Sequence, residues 1–114
     1  MEIHIIKDKV TAEELRKYAN ESFGDMVKAV VDIEKRIMAL GGELHSDGEA
    51  FLIEDGSDQK NLWGINIYPE SPKEEMIVYT SLINIRPSQG SRSMEIKDEM
   101  LKKNIADIIF SLIA

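Results

Sequence analysis

The sequence contains no cysteine and only two histidines among its 114 residues. Without cysteine the chain can form no disulfide framework, no thiolate zinc site and no cysteine nucleophile. Two histidines are too few for a three-histidine zinc site. No uninterrupted apolar run approaches the roughly 18 residues that a membrane-spanning helix needs, so no span is expected. No basic and then apolar leader follows Met1, so we expect a cytoplasmic protein without a signal peptide.

The net charge is negative and unevenly distributed. Against 21 Asp and Glu stand 14 Lys and Arg, which gives −7 and disfavours binding to nucleic-acid phosphates. Residues 1–60 carry a net charge of −6, whereas residues 61–114 carry −1. Residues 76–94 contain no Asp, Glu or Lys, and their only charged side chains are Arg86 and Arg92. This acid-free segment is a local anomaly in an acidic protein.

The length and the apolar content indicate one folded domain. At 114 residues, of which 43% are apolar, the chain is about the size of a single domain and can bury a core. No linker or low-complexity segment divides it, so residues 1–114 are treated as one domain.

Sequence patterns predict three helices. Thr11 and Glu14 form a capping box, which places a first helix over about residues 12–22. A second helix is predicted over residues 26–40, with Asp25 as its N-cap and two glycines after its end. Its inward face would comprise Met26, Ala29, Val30, Ile33, Ile37 and Leu40. A third helix is predicted from about residue 97, with Leu101, Ile105, Ile108, Ile109 and Leu112 inward.

The remaining segments predict strands. Residues 3–6 are typical of a short first strand, and Asp47-Gly48 is a hairpin turn signal that would pair residues 43–46 with residues 49–54. Two further strands, residues 62–68 and 76–86, each end at a proline. Paired as a hairpin, these two would share a core face made of Trp63, Ile65, Ile67, Ile77, Tyr79, Ile83 and Ile85. The predicted fold class is α+β, a largely antiparallel sheet of four to five strands with three helices in the order β-α-α-β-β-β-β-α.

The loop of residues 86–93 is the strongest candidate ligand site. Its guanidiniums, hydroxyls, amide and glycine backbone are all anion donors, and they belong to Arg86, Ser88, Gln89, Gly90, Ser91 and Arg92. The planar fork of arginine matches the paired oxygens of carboxylate or phosphate. A glycine at residue 90 would let successive backbone N–H groups turn inward as an anion-binding nest. In the alternative interpretation, the two arginines pair with surface carboxylates and only anchor the loop.

The tripeptide Ile-Asn-Ile occurs twice, at residues 65–67 and at residues 83–85, so each copy contains one asparagine. The predicted hairpin places Asn66 and Asn84 on the same sheet face, and asparagine is disfavoured inside a strand unless its amide has a partner. Two interpretations follow: a hydrogen bond between the strands, or amides that form the floor of a ligand pocket.

Metal and catalytic patterns are weak. Glu43, His45, Asp47 and Glu49 alternate along the predicted first hairpin, but the turn at Asp47-Gly48 prevents them from converging on one ion. We therefore favour an acidic, solvated hairpin and predict no metal and no cofactor. No serine-nucleophile pattern and no suitably spaced pair of carboxylates is present, so the sequence leaves enzymatic activity open.

Four segments carry a resemblance to a small archaeal and bacterial family of uncharacterised proteins. They read FGDMVKAVVD at residues 23–32, GGELH at residues 41–45, NLWGIN at residues 61–66 and INIRPSQG at residues 83–90. The resemblance spans most of the chain and implies a single-domain prokaryotic protein. It implies no activity and no catalytic residues.

Two functional hypotheses follow from the sequence. The first is a protein that binds an anionic or phosphate-bearing small molecule through the 86–93 loop, with Asn66 and Asn84 as the floor. The second is a non-catalytic interaction module, most simply a homodimer, because the second helix and both sheet faces carry more apolar residues than three helices are expected to cover. Neither hypothesis involves a membrane or nucleic acid.

Overall fold

The fold is one antiparallel sheet covered by three helices. The computed structural model describes residues 2–114 and contains five strands: β1 (Ile3–Ile6), β2 (Val27–Asp32), β3 (Ile37–Gly41), β4 (Leu62–Ile67) and β5 (Ile77–Val78). The helices are α1 (Ala12–Glu21), α2 (His45–Glu54) and α3 (Glu99–Ser111). The strands lie in the order β1-β3-β2-β4-β5. These features confirm the α+β class, the antiparallel sheet and the three helices, while the order along the chain is β-α-β-β-α-β-β-α.

Each face of the sheet has its own apolar core. Helices α1 and α3 cover one face, where they bury Leu15, Ala19, Ile105, Ile108 and Ile109 against Val27, Ala29, Val31, Met38, Leu40, Trp63, Ile65 and Ile67. Helix α2 covers the other face, where Leu52 packs with Val30, Ile37, Ala39 and Leu62. The alternation along β2 and β3 between the two clusters is the period-two pattern of strands that are buried on both sides.

The predicted helix over residues 26–40 is wrong, because this segment forms the β2–β3 hairpin. Strands that are buried on both faces are apolar almost throughout, and a continuous apolar run contains helical spacings as well as strand spacings. The β-branched residues Val27, Val30, Val31 and Ile37 favour the strand, where their side chains pack on both sheet faces. The apolar surplus that suggested a homodimer is therefore largely internal to the sheet.

A buried carboxylate organises the hairpin turn. Asp32 is 1% exposed, and its Oδ1 accepts hydrogen bonds from the backbone N–H groups of Glu34 and Lys35 at 2.9 Å each. Its Oδ2 accepts from the Ser57 hydroxyl at 2.6 Å. Arg36 completes the turn with a φ of 57°, in the left-handed region. The hydrogen bonds of Asp32 thus close the turn and join it to the segment after α2.

The predicted hairpin over residues 43–54 is also wrong, because residues 45–54 form helix α2. The Asp47-Gly48 pair lies in the first part of this helix and makes no hairpin turn. A side-chain carbon at Gly48 would lie 3.1 Å from Val30 Cγ2, so glycine here serves close packing of the helix against β2. The four residues proposed as an alternating acidic hairpin are therefore distributed along and before a helix.

The predicted strand over residues 76–86 is shorter than expected. Only Ile77–Val78 pairs with β4, and a three-residue 3-10 turn, Leu82–Asn84, follows. The Asn84 carboxamide takes the place of further strand pairing: it accepts from Gly64 N–H at 2.8 Å and donates to the Gly64 carbonyl at 2.9 Å. As a result Ile83 packs in the core under α2, whereas Ile85 is exposed, so the predicted shared face ends near Tyr79.

The first and last helices agree with the sequence predictions. The capping box of α1 is present, with Thr11 N–H donating to Glu14 Oε1 and Glu14 N–H donating to Thr11 Oγ1, both at 3.0 Å. Helix α3 begins after Asp98, whose side chain accepts from the N–H groups of Met100 and Leu101. Within residues 2–114, no helix has the length and apolar character needed to cross a membrane.

We expect Asp32→Ala to lower the free energy of unfolding by about 3 kcal/mol, because three donors lose a charged acceptor in a buried site. Glu34→Ala is the matched control: it removes the same charge from the same turn but breaks one exposed hydrogen bond, from Asn61. We expect that control to cost less than about 1 kcal/mol. Urea unfolding of both variants measures the difference, and equal losses would contradict the structural role of Asp32.

Candidate functional site

The 86–93 loop is a compact turn in which four backbone N–H groups donate to carbonyls of the loop itself. Arg86 and Ser91 form a bridge, with Arg86 N–H donating to the Ser91 carbonyl at 2.6 Å and Ser91 N–H donating to the Arg86 carbonyl at 3.1 Å. Gln89 N–H and Gly90 N–H donate to the carbonyls of Arg86 and Pro87. Gly90 has the expected positive φ, 81°, but its N–H contributes to no anion-binding nest.

Arg86 is occupied by contacts within the protein. Its Nε donates to the Ile83 carbonyl at 2.9 Å, one terminal nitrogen donates to the Gln59 carbonyl at 2.8 Å, and the other donates to the Leu62 carbonyl. The guanidinium also lies 4.6 Å from the centre of the Trp63 ring and 3.6 Å from Glu49 Oε2. Burial lowers the pKa of this guanidinium, and the Glu49 carboxylate acts in the opposite direction. These contacts leave Arg86 little capacity for a ligand.

The rest of the loop is divided between structural contacts and solvent. Ser91 Oγ donates to the Asn84 carbonyl at 2.6 Å, and Gln89 Nε2 donates to the Lys60 carbonyl at 3.0 Å. Ser88 and Arg92 are exposed, and within residues 2–114 Arg92 forms no ion pair. A cavity of about 330 Å³ lies beside the loop, and its charged residues have mixed signs: Arg92, Glu95, Lys97 and Asp98.

The asparagines of the two Ile-Asn-Ile tripeptides have different surroundings. Asn84 is fully buried, and besides its two bonds to Gly64 it donates to the Met94 carbonyl at 3.1 Å. Its amide is therefore saturated by the backbone. Asn66 Nδ2 donates to the Thr80 carbonyl at 3.2 Å, but its Oδ1 is buried without a hydrogen-bond partner in residues 2–114. Asn66 therefore retains an unused acceptor, whereas Asn84 does not.

Asn66 belongs to a second cavity, which we call the His45 cleft. Its volume is about 430 Å³, within the range of roughly 300–1,000 Å³ that is typical of small-molecule sites. It is lined by Met26, Lys28, Leu44, His45, Ser46, Asn66, Thr80, Ser81, Leu82, Ile83 and Met94. Five of these residues, residues 80–83 and Met94, belong to the acid-free segment 76–94. That segment therefore does contribute to a cavity.

The charge in the His45 cleft has one sign. Lys28 and His45 are its titratable side chains, and none of the eleven lining residues is an Asp or Glu. Within residues 2–114 Lys28 forms no ion pair; its ammonium lies 5.5 Å from the centre of the Phe23 ring. The N-cap of α2 is Leu44, which offers no side-chain acceptor to the first helical N–H groups. The positive end of the α2 dipole therefore adds to the cationic character of the cleft.

His45 lines the cleft, and its ring is oriented by a hydrogen bond to the backbone. Its side chain is 7% exposed, and its Nε2 lies 2.8 Å from the Ile65 carbonyl, to which it donates. Burial lowers the pKa of His45 below its usual value, and nearby Lys28 lowers it further. The Ile65 carbonyl and the Asn66 side chain favour the charged ring and so act in the opposite direction, but they do not outweigh burial.

The sequence singled out neither Lys28 nor Thr80, and it offered His45 only as part of a weak metal pattern. Only Glu43 and Leu44 separate His45 from Gly41-Gly42, but the Asp47-Gly48 pair suggested a hairpin in place of helix α2, which begins at His45. Lys28 was placed on a helix, where its position opposite Asn66 on β4 could not be seen. Asn66 was found, because an asparagine inside a strand needs a polar partner.

A family described as "Protein of unknown function (DUF5674)" matches residues 4–112. The chain therefore belongs to that family, which confirms the resemblance noted in the sequence and assigns no activity. No curated protein matches the chain, and no solved structure matches it.

We expect Arg86→Ala to destabilise the fold by about 3 kcal/mol, because it leaves the poorly exposed Glu49 carboxylate unpaired and three carbonyls without their donor. Arg92→Ala removes the same charge from the same loop but breaks no contact of this kind. We expect its effect to stay within about 0.5 kcal/mol. Thermal and urea unfolding measure both, and a stable Arg86→Ala variant would contradict the structural role of Arg86.

The lowered pKa of His45 predicts a pH-dependent stability. Unfolded histidine binds a proton near pH 6.5, whereas folded His45 does so only at lower pH, so the unfolded state gains protons first as the pH falls. Wild-type stability should therefore decrease below about pH 6.5 by more than that of His45→Gln. Urea unfolding at several pH values gives this difference. His4→Gln keeps His45 and is the control; an identical pH dependence in wild type and His45→Gln would contradict the prediction.

Proposed function

We propose that this member of the family binds a small organic anion in the His45 cleft, in the form of a carboxylate, sulfonate or phosphate ester with an apolar body. The observation that carries the proposal is an acid-free cleft in a protein of net charge −7, together with the Lys28 ammonium, which forms no ion pair within residues 2–114. An anion that approaches such a protein is repelled over most of the surface, so a region with cationic groups alone is where it can be held.

The polar part of the ligand has donors on one side of the cleft. Lys28 supplies three N–H donors and a full charge, and the first turn of α2 supplies backbone N–H groups that lack a side-chain cap. Helix N-termini and ammonium groups both favour anionic oxygen atoms. Together they support a single anionic group near Lys28 and Ser46.

The cleft also offers exposed apolar side chains to the apolar part of the ligand. Leu44 and Leu82 are 57% and 72% exposed, and Met94 is 41% exposed, although all three are large and apolar. Their placement around one cavity leaves apolar surface that a ligand body can cover, which is favourable by about 25 cal/mol per Å² buried. This surface supports an organic anion over inorganic phosphate or sulfate.

The sequence predicted the same class of ligand but placed it in the 86–93 loop. Arg92 is free to contribute there, whereas Arg86 is occupied by carbonyls, Trp63 and Glu49. The cavity beside the loop also contains two carboxylates, which repel an anion. We therefore prefer the His45 cleft and retain the loop as the competing location. Self-association stays a prediction from the sequence.

A matched pair of variants separates the two locations. We expect hexane-1-sulfonate to shift the backbone amide NMR signals of residues around the His45 cleft, and hexan-1-ol and hexylammonium to bind more weakly. Lys28→Gln and Arg92→Gln each remove one positive charge, so they alter the overall electrostatics equally. Lys28→Gln should weaken hexanesulfonate binding about tenfold, the usual effect of a charge-assisted hydrogen bond, while Arg92→Gln should change it less than about twofold.

The reverse result, in which Arg92→Gln weakens binding and Lys28→Gln does not, would place the site in the loop. Equal binding of hexanesulfonate and hexylammonium would show that charge is not recognised, and the proposal would then be wrong.

A further inference from the structure

One buried oxygen in the His45 cleft lacks a hydrogen-bond donor. The Asn66 carboxamide is oriented by its Nδ2, which donates to the Thr80 carbonyl at 3.2 Å. Because a carbonyl can only accept, this bond distinguishes the nitrogen of the amide from its oxygen. Oδ1 of Asn66 is then left buried, with no partner in residues 2–114. A buried carbonyl oxygen without a donor is uncommon in proteins and calls for an explanation.

The His45 ring is oriented by the same kind of contact. Its Nε2 lies 2.8 Å from the Ile65 carbonyl, so the single ring hydrogen of neutral His45 is at Nε2. Nδ1 of the neutral ring then carries only a lone pair. When His45 is neutral, the cleft therefore contains two acceptors, His45 Nδ1 and Asn66 Oδ1. Neither has a donor among residues 2–114.

The groups around His45 have opposite effects on its pKa. Burial and the Lys28 charge on β2 lower the pKa of His45, whereas the Ile65 carbonyl and the Asn66 side chain on β4 raise it. On α2 itself, the Glu49 carboxylate is directed to Arg86, 3.6 Å away. The lining residues from the segment 80–83 and Met94 carry no charge. The site thus provides an acceptor for a second ring hydrogen but no negative charge to balance it.

We propose that His45 takes up a proton when an organic anion occupies the His45 cleft, and that the new N–H at Nδ1 donates to the Asn66 oxygen. This inference rests on the proposed function. The anion supplies the missing negative charge and offsets the repulsion from Lys28, so the imidazolium becomes favourable. By thermodynamic linkage, protonation of His45 must strengthen anion binding by the same factor by which the anion strengthens protonation.

Hexane-1-sulfonate is a suitable probe, because its sulfonate stays ionised at every pH at which the protein is folded. NMR titration of the His45 ring, with and without saturating probe, should show that the probe raises the pH at which the ring is protonated. Calorimetric titrations in buffers of different ionisation enthalpy should show proton uptake, and the affinity should increase by up to tenfold per pH unit as the pH falls from about 7.5 to 5.5.

Two variants connect the proton to these residues. His45→Gln should bind the probe with an affinity that no longer depends on pH, and Asn66→Leu, which removes the acceptor, should take up less proton than wild type. Arg92→Gln is the control and should keep the wild-type proton uptake. Thermal unfolding checks that each variant is folded, and if His45→Gln is not, the ring titration of the wild type decides alone.

The outcomes separate the two proposals. Probe binding in the cleft with a pH-independent affinity and no proton uptake overturns the coupling and leaves the proposed function intact. No binding at any pH between about 5.5 and 7.5 overturns both. Proton uptake that persists unchanged in His45→Gln assigns the proton to another group, and the coupling to His45 is then wrong.

Discussion

The clamp that Asn84 places on Gly64 is the interaction on which the two cavities depend. A single carboxamide satisfies both the N–H and the carbonyl of Gly64 on the edge of β4 and also holds the Met94 carbonyl. The carboxamide therefore makes the two hydrogen bonds that a neighbouring strand would make to Gly64. As a result, the chain can leave the sheet after Val78. Glycine is required because a side-chain carbon there would lie 2.6 Å from Ser81 Cβ. The His45 cleft and the 86–93 loop both form around the segment that this clamp holds.

Electrostatics explain why one cationic site is structural and the other is open. Arg86 is partly buried, and in a region of low dielectric constant its charge is stabilised by three backbone carbonyls, the Trp63 ring and Glu49. Lys28 forms no ion pair within residues 2–114, and no Asp or Glu lines the cavity beside it. A cationic side chain thus anchors the fold at Arg86, whereas at Lys28 it lines a cavity. The difference lies in which backbone carbonyls the fold brings close.

Local sequence signals predicted the elements whose ends are marked by local chemistry. The capping box at Thr11 and the period of Ile105, Ile108 and Ile109 gave α1 and α3 correctly, because capping and helical amphipathicity depend on residues close in sequence. The hairpin of β2 and β3 was predicted as a helix, because strands that are buried on both faces show no alternation of apolar with polar residues. The glycine at residue 48 was interpreted as a turn residue, although it serves close packing against Val30, a contact between residues distant in sequence.

The candidate site likewise combines features that are readable in the sequence with features that depend on contacts between distant residues. The acid-free segment and the unusual strand asparagine at residue 66 both contribute residues to the His45 cleft, and both could be noticed because charge and polarity are properties of the residues themselves. The pairing of Lys28 with Asn66 across β2 and β4, and the position of His45 at the start of α2, depend on which strands become neighbours. The α+β class, the helix caps and the negative charge could thus be read from the amino acids in order. Which polar groups remain without partners in one cleft follows from tertiary packing, because a hydrogen bond between distant residues exists only once the sheet has formed.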